Sequence, residues 1–235
     1  MRQLGSLVFW GFVVVSSALL FPVAVVIWAL TAAFDRRRRA LHLFTCFWAS
    51  LYTWLNPAWR VTIHGRNLIG PDATYVYVAN HLSLLDILVL FRLFTDFKWV
   101  SKAEIFKVPG VGWNMRLNNY IPLRRGNRDS VVQMMQRCEE ALARGSSLMM
   151  FPEGTRSATG ELKAFKTGAF ELAVAAQVPI VPIAIEGTNN ALPKHGFVLR
   201  GRHEITVTVL PPFDPGTSVE SAKEQARTRI AAVVC

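Results

Sequence analysis

The sequence predicts an α/β fold, a β-sheet flanked by helices, preceded by an N-terminal helical segment that associates with a membrane. Two observations predict the sheet and its helices. Short β-branched and aromatic runs recur from residue 60 onward, and they alternate with stretches whose apolar residues repeat at helical spacing. A third observation predicts the membrane segment, because residues 3–34 contain no charged side chain. We therefore divide the chain into membrane-embedded or interfacial helices at 1–59 and an α/β domain at 60–235.

The composition favours a membrane surface as the environment of the protein. Of its 235 residues 51% are hydrophobic, and 26 Lys and Arg outnumber 16 Asp and Glu, which gives a formal charge of +10. A basic, apolar chain suits an anionic membrane or a phosphate-bearing substrate. We expect no nucleic-acid partner, because the helix-turn-helix, zinc-finger and RNA-binding signatures are missing from the sequence. The three cysteines lie far apart, which indicates neither a disulfide framework nor a metal site.

Residues 3–34 are long enough to enter or to cross a bilayer, and the sequence leaves both arrangements open. As one helix they extend about 48 Å at about 1.5 Å per residue, whereas the hydrocarbon core is about 30 Å thick. A cleaved signal peptide is the alternative, although the apolar core of such a peptide has only about 7–15 residues. Four arginines, at 36–39, end the run and predict that the domain lies on the cytoplasmic face of the inner or plasma membrane.

Residues 41–59 form a second stretch without Asp, Glu, Lys or Arg. Large apolar side chains recur in it at helical spacing: Phe44, Trp48, Tyr52, Leu55 and Trp59. This pattern fits an interfacial helix whose rings lie at headgroup depth, and it also fits a core helix of the globular domain. We expect the interfacial arrangement, because a second membrane crossing would place the domain on the side opposite the arginines.

The α/β domain contains six predicted strands and four predicted helices. The strands are the short β-branched or aromatic runs at 61–63, 75–79, 98–102, 147–151, 178–185 and 203–210. The helices are the stretches with apolar residues along one side, at 84–91, 129–144, 166–177 and 219–234. Pro109, Gly110 and Gly112 predict a loop.

His81 lies in the predicted turn between the strand at 75–79 and the helix that follows it. Ser83 is suited to cap that helix, and Asp86 follows three residues later, which is the arrangement of a capping box. Asp86 is then close enough to reach the imidazole. Two interpretations remain open. Asp86 only caps a helix beside a loop histidine, or it accepts Nδ1–H of a general base, His81, and leaves Nε2 able to take a proton.

Residues 151–157, Phe-Pro-Glu-Gly-Thr-Arg-Ser, directly follow a predicted buried strand and suit a binding site at its end. Glu153 can accept hydrogen bonds from hydroxyl groups, and Gly154 lets the backbone approach a ligand. Arg156 offers a planar guanidinium for a phosphate group. The same stretch is also compatible with an ordinary turn that carries a surface ion pair.

Three further basic residues are candidates for an anionic ligand. Arg124 and Arg125 follow a short apolar run, although adjacent arginines also occur on solvated surfaces, and Lys102 ends a predicted strand. The sequence has no Gly-x-Ser-x-Gly elbow, no Walker loop and no His-Glu-x-x-His zinc helix. It therefore predicts neither a metal nor a cofactor.

Together these stretches resemble the glycerolipid acyltransferases, specifically the PlsC-like 1-acylglycerol-3-phosphate acyltransferase family, over about residues 60–215. The motifs that carry the resemblance, in the family's order, are His81 with Asp86, Arg125, residues 151–157 and residues 178–182. One difference is Arg124, which stands where the family commonly has Asp. This difference leaves the preferred acceptor headgroup open.

The resemblance implies the mixed, helix-flanked sheet of the glycerolipid acyltransferases. It also implies transfer of an acyl group from acyl-CoA or acyl-carrier protein to the sn-2 hydroxyl of a lysophospholipid, with lysophosphatidic acid as the first candidate and membrane lipids around it. His81 is the implied general base and Asp86 orients it. The other implied contacts are Glu153, Gly154 and Thr155 to the glycerol part, Arg125 and Arg156 to the phosphate, and Lys102 in support. The alternatives are another lysolipid, such as lysophosphatidylglycerol or a lyso-ornithine lipid, and a non-catalytic membrane lipid-binding protein.

Overall fold

The computed structural model describes residues 2–193 and 197–234, which form eight α-helices and seven β-strands. The helices are α1 Arg2–Thr31, α2 Arg39–Trp54, α3 Leu85–Phe91, α4 Val111–Leu117, α5 Arg128–Ala143, α6 Gly168–Ala176, α7 Thr188–Ala191 and α8 Val219–Val234. The strands are β1 Trp59–His64, β2 Val76–Ala79, β3 Phe97–Lys102, β4 Ile121–Leu123, β5 Ser147–Met150, β6 Ile180–Glu186 and β7 His203–Val209. Two short 3₁₀ helices are Arg66–Leu68 and Ala103–Lys107.

The strands form one sheet in the order β1-β7-β6-β2-β5-β3-β4. Neighbouring strands are parallel throughout, except that β6 and β7 are antiparallel. The predicted mixed sheet is therefore confirmed. Because β2 and β5 are parallel neighbours, with Val78 opposite Met150, the residues that follow their carboxyl ends meet at one edge of the sheet.

Helices cover both faces of the sheet, so its central strands are buried on both sides. In β2, Tyr77 and Ala79 face the side covered by α2 and α3, whereas Val76 and Val78 face the side covered by α5, α6 and α8. None of these four side chains is more than 1% exposed. The segment that carries His81 therefore starts from a strand that is packed tightly in two directions.

Helix α1 packs one side against the protein and exposes the other. On the inner side Ala24 packs with Trp48 and Tyr52 of α2, and Ser16 Oγ lies 3.1 Å from the Tyr52 hydroxyl oxygen. The outer side exposes apolar residues along the whole helix: Leu4, Leu7, Val8, Phe12, Val14, Val15, Leu19, Val23, Val26 and Leu30. By length and composition α1 is also able to cross a membrane.

Helix α2 lies between α1 and the sheet, which differs from the expected interfacial position. His42 and Cys46 are fully buried. His42 Nε2 lies 2.8 Å from the Thr95 carbonyl oxygen, and its Nδ1 lies 2.8 Å from the Tyr120 hydroxyl oxygen. Burial lowers the pKa of His42 to about 3, so this ring is neutral. The missing charge in residues 41–59 thus reflects contact with protein, because most of α2 belongs to the core.

Two elements near the middle of the chain were not predicted. Residues 111–117 form α4, where Pro109, Gly110 and Gly112 predict a loop. Gly112 serves close packing instead, because a Cβ at this position would lie 2.3 Å from the carbonyl oxygen of Phe106. The short strand β4 is the second such element. The other predicted strands and helices of the α/β domain are present, with ends that shift by no more than two residues.

Candidate active site

His81 and Asp86 meet at the carboxyl end of β2. His81 lies in the segment after the strand, Asp86 lies in the first turn of α3, and Nδ1 of the histidine is 2.7 Å from Oδ2 of the carboxylate. Because a carboxylate accepts this hydrogen bond, Nδ1 carries the proton and Nε2 is the basic nitrogen. Nε2 forms no hydrogen bond with the part of the chain that the structure describes. The arrangement therefore leaves Nε2 able to accept a proton from a bound substrate.

The Asp86 carboxylate is fully buried and accepts four hydrogen bonds. Besides His81, Oδ2 accepts the backbone N–H groups of Leu82 at 2.6 Å and Ser83 at 2.8 Å. Oδ1 accepts the hydroxyl group of Thr188. The predicted capping box is not formed, because the Ser83 hydroxyl accepts from the N–H of Leu85 at 3.2 Å and not from that of Asp86. Asp86 therefore does more than the first interpretation allows, because it holds the turn before α3 and also orients the His81 ring, while the N-cap residue of α3, Leu84, makes no side-chain cap hydrogen bond.

Thr188 is a site residue that the sequence does not indicate. It begins α7 directly after β6, at the same edge of the sheet as His81, and it is fully buried. The preceding Gly187 has a φ of 82°, and a Cβ there would lie 2.1 Å from the carbonyl oxygen of Glu204. Strand β7 therefore packs closely on this turn and fixes the position of the threonine hydroxyl. Because Asp86 and Thr188 are 102 positions apart, no local pattern predicts their contact.

Glu153 joins residues 151–157 to the segment that carries the histidine. Its Oε1 accepts the backbone N–H of His81 at 2.7 Å, and its Oε2 accepts the backbone N–H of Lys163 at 3.2 Å. The N–H of Ser157 also donates to the carbonyl oxygen of His81, at 2.7 Å. Burial raises the pKa of Glu153, and the two backbone hydrogen bonds oppose that rise. Glu153 therefore supports His81 here, whereas the sequence predicts a contact with substrate hydroxyl groups.

The imidazole ring of His81 is held in its plane by aromatic stacking. Its centroid lies 3.9 Å from that of the Phe151 ring, and the two planes differ by 10°. Phe151 in turn stacks on Trp99, at 5.5 Å and 27°. Since Asp86 holds Nδ1 and Phe151 covers one face of the ring, the direction in which Nε2 points is fixed.

A cavity of about 950 Å³ opens beside His81. Toward α1 and α2 it is lined by large apolar or aromatic side chains, including Phe9, Trp10, Val13, Trp48 and Tyr52. Toward α5 it is lined by Val131, Met134, Met135 and Met150. A mainly apolar cavity of this size suits the acyl chain of a lipid or of a thioester.

The cavity also has a cationic part. Four basic side chains line it: Lys102, Arg125, Arg156 and Lys166. Gly154 and Thr155 line it as well, and Glu171 is the one carboxylate residue among its described lining. The structure therefore brings the predicted basic residues, Gly154 and Thr155 to the cavity that His81 faces, while Asp86 and Glu153 lie outside its lining. Lys166 was not predicted as a site residue.

Potential metal-ligating side chains are not clustered in the described part of the chain. Across residues 2–193 and 197–234, no group of three or more His, Cys, Asp or Glu side chains is arranged to hold a metal ion. Among the charged or basic groups of the described lining, one imidazole and four cations outnumber the single carboxylate of Glu171, a set suited to proton transfer and to binding an anion.

Comparison with known proteins identifies the family. The sequence pattern of the Acyltransferase family matches residues 60–186, which is more than half of the chain. The chain belongs to the acyltransferase family. The matched segment of this acyltransferase runs from β1 to the end of β6, and it contains every site residue predicted from the sequence. Thr188 lies just beyond it.

Three plant and algal proteins are similar in sequence to most of this acyltransferase. A 1-acyl-sn-glycerol-3-phosphate acyltransferase of Chlamydomonas reinhardtii is 36% identical over 98% of this chain and 70% of its own length. Two chloroplastic 1-acyl-sn-glycerol-3-phosphate acyltransferases, from Brassica napus and Arabidopsis thaliana, are each 38% identical over 84% of this chain. The match spans 57% and 55% of these two relatives, so the chain covers little more than half of each.

A solved structure supports the same fold. The crystal structure of PlsC, the 1-acyl-sn-glycerophosphate acyltransferase of Thermotoga maritima, superimposes with a TM-score of 0.80. The superposition covers 100% of this chain and 96% of the other, at 24% sequence identity. The mixed sheet, its flanking helices and the N-terminal helices of this acyltransferase thus follow an arrangement that is already known.

Proposed function

We propose that this acyltransferase moves a fatty acyl group from an acyl thioester to the sn-2 hydroxyl of lysophosphatidic acid, which yields phosphatidic acid for phospholipid biosynthesis. The observation that carries the proposal is the His81–Asp86 pair, whose Nε2 remains able to accept a proton beside a cavity with apolar and cationic parts. The names of the algal and plant relatives support lysophosphatidic acid as the acceptor.

In the proposed reaction His81 acts first as a base and then as an acid. The sn-2 hydroxyl oxygen attacks the thioester carbonyl carbon while its proton moves to Nε2. The charge of Asp86, 2.7 Å from Nδ1, stabilises the imidazolium that forms. When the tetrahedral intermediate collapses, the C–S bond breaks and the leaving thiolate takes the proton from Nε2. The products are an ester and a thiol, and no acyl group becomes attached to the protein.

The cations of the cavity are assigned to the acceptor. Arg125 and Arg156 contact its phosphate, and Lys102 supports them, because guanidinium groups bind phosphate oxygens in pairs. Gly154 and Thr155 contact the glycerol part. Glu153 contributes to this site by holding the backbone of His81.

The proposed location is the cytoplasmic face of the inner or plasma membrane. The apolar outer side of α1 supports contact with lipid, and the arginines at 36–39 support the cytoplasmic orientation. A lipid acceptor then reaches the cavity without crossing water, because Phe9, Trp10 and Val13 of α1 form part of the cavity wall.

A second acceptor class is favoured by one residue. Arg124 replaces the Asp that commonly precedes the motif arginine, and it adds positive charge beside Arg125 without lining the cavity. Such a change suits a lysolipid with a different headgroup, for example lysophosphatidylglycerol or a lyso-ornithine lipid.

Turnover by the purified protein in detergent tests both acceptor classes. We would offer lysophosphatidic acid beside the other lysolipids, and acyl-CoA beside acyl-carrier protein as donor. Formation of phosphatidic acid supports the proposal. Transfer to another lysolipid would assign a different acceptor and leave the proposed mechanism unchanged. A folded protein that binds lipid but transfers no acyl group to any acceptor contradicts the proposal and leaves a lipid-binding function.

Replacement of Arg125 by Ala is expected to weaken the use of lysophosphatidic acid. The loss of one charge-assisted contact raises KM, or lowers kcat/KM, by about tenfold or more. Steady-state kinetics against acceptor concentration measures the change. Arg128→Ala is the matched control, because Arg128 is a nearby exposed arginine that does not line the cavity. Equal kinetics for the two variants would remove Arg125 from the phosphate site.

Thr188 is expected to act as a positioning residue through Asp86. Thr188→Val keeps the shape of the side chain and removes the donor to Oδ1, which leaves a buried carboxylate oxygen without its partner and costs about 1–3 kcal/mol of stability. We expect kcat to fall by about tenfold, because Asp86 then holds His81 less well. KM for both substrates should stay unchanged.

The control for this prediction is Thr188→Ser, which keeps the hydroxyl group and should restore most of kcat. Kinetics of the two variants beside their melting temperatures separates positioning from mere stability. If the valine and serine variants lose kcat equally, the hydrogen bond to Asp86 has no part in turnover.

A further inference from the structure

A segment that contacts α1, residues 107–113, also exposes apolar side chains, and we name it the α4 tip. It contains the end of the second 3₁₀ helix, a short turn and the start of α4. Trp113 packs on α1, with its ring centroid 5.5 Å from that of Phe21. Three apolar side chains of the tip are nevertheless exposed, namely Val108 at 47%, Val111 at 43% and Trp113 at 47%.

The protein holds these side chains outward by close packing beneath them. Phe106, directly before the tip, is buried in the core. Gly110 has a φ of 72° at the start of α4, and Gly112 lies too close to the carbonyl oxygen of Phe106 for any side chain to fit. A tip anchored in this way presents its two valines and its tryptophan as a fixed surface.

Exposed basic residues flank the apolar part of the α4 tip. Lys107 begins the tip and Arg116 lies one turn after Trp113. An apolar patch with a tryptophan and neighbouring cations is the composition of segments that lie at the boundary between anionic headgroups and acyl chains. A single exposed valine needs no such explanation, but here three apolar side chains are exposed together on a segment that contacts α1 through Trp113 and Phe21.

The rim of the cavity belongs to the same surface. Val111 is exposed and also lines the cavity, as do Phe9 and Trp10 on α1. Met115, one turn after Val111 on α4, lines the cavity too. Apolar elements thus border the cavity from two sides, one from α1 and one from the α4 tip.

We propose that the α4 tip is a second membrane-contacting element, which inserts Val108, Val111 and Trp113 into the same anionic leaflet as the outer side of α1. The cavity rim between the two elements then faces the acyl region of that leaflet. This inference rests on the proposed membrane association of α1, and it adds a contact that α1 alone does not require.

A fluorescent probe on the tip tests the proposal in the full-length protein. Cys46 and Cys138 are buried, so a Cys235→Ser background allows one new thiol at a time to be labelled with an environment-sensitive dye. The three labelled variants are Val108→Cys on the tip, Leu19→Cys on the outer side of α1 and Val132→Cys on α5. Leu19 and Val132 are both well exposed, at 69% and 56%, which matches them as the lipid-facing and the water-facing controls.

Each labelled protein is placed in vesicles of phosphatidylcholine and phosphatidylglycerol that carry spin-labelled lipid. Because interfacial segments lie about 5–10 Å into the headgroup and acyl boundary, we expect the probe at 108 to lose most of its fluorescence to spin labels in the upper acyl chain. The probe at 19 should do the same, and the probe at 132 should lose almost none. In vesicles without phosphatidylglycerol, the loss at 108 should become smaller, because Lys107 and Arg116 then have no anionic headgroups to contact.

Three results would overturn the inference. If the probe at 19 is quenched and the probe at 108 behaves like that at 132, the tip remains in water while the proposed membrane association of α1 stands. If neither the probe at 19 nor that at 108 is quenched, the membrane association of α1 fails as well. If the probe at 108 becomes shielded only as the ratio of protein to lipid rises, the surface contacts a second copy of the chain.

Discussion

We expect His81→Ala to lower kcat/KM by about 10²–10⁴-fold, the usual contribution of a general base. The loss should be large because no other imidazole among the described residues lines the cavity and could replace His81 as the base. The imidazole contacts other groups through Nδ1 and its stacked face, while its backbone N–H and carbonyl group remain in place in the variant. The fold should therefore survive. Acyl-transfer assays with circular dichroism on the same samples measure both effects.

His64→Ala is the matched control, because His64 is exposed at the end of β1 and far from the cavity lining. His81→Asn gives a second check, since its amide can still donate to Asp86 but cannot take a proton from the substrate. Both variants at position 81 should be equally inactive. Turnover by either at more than a tenth of the rate of the unaltered protein would mean that another group is the base.

Asp86→Asn is expected to give the second-largest loss, about 10²–10³-fold in kcat, with a nearly unchanged melting temperature. The two backbone N–H groups of Leu82 and Ser83 require an acceptor, so the amide oxygen must occupy the place of Oδ2. The amide nitrogen then faces Thr188, whose hydroxyl oxygen can accept from it. His81 keeps its hydrogen bond and its tautomer, and only the negative charge is lost.

This substitution therefore isolates the electrostatic contribution of Asp86 to the imidazolium. Asp129→Asn is the control, because Asp129 is likewise in the first turn of a helix, α5, but is exposed. Measured kcat for the two variants, with melting curves, decides the point. Full activity of Asp86→Asn would show that Asp86 only holds the turn before α3.

The sequence predicts the His81–Asp86 pair well because the pair is local. A strand signal, a capping residue and a carboxylate three residues later place both side chains at one strand end. Thr188 and the backbone contacts of Glu153 are different in kind. They depend on which strands become neighbours in the sheet, and the β2–β6 and β2–β5 pairings are long-range results of folding.

The position of α2 shows a second feature that could not be predicted from the sequence. A charge-free helix with a row of aromatic residues has the same appearance whether its neighbours are lipid chains or protein side chains. The buried polar residues of α2 make the difference, because His42 contacts Tyr120, and the Thr45 hydroxyl accepts from the side-chain amides of Asn114 and Asn118. Gly112 is similar, because the packing against Phe106 that requires glycine is visible only in three dimensions.

The pairing of β1 with β7 has a consequence for how the protein is made. β1 lies at the edge of the sheet, and its neighbour is β7. During synthesis β1 therefore cannot pair until β7 has been made, because Trp59 pairs with His203. At a synthesis rate of about 5–20 residues per second, this wait lasts roughly 7–30 s. During that time the ribosome holds a chain with an apolar first helix and an unpaired strand, both of which favour aggregation. If α1 contacts lipid as proposed, early delivery of the nascent chain to that surface would shield α1 while the edge of the sheet is still incomplete.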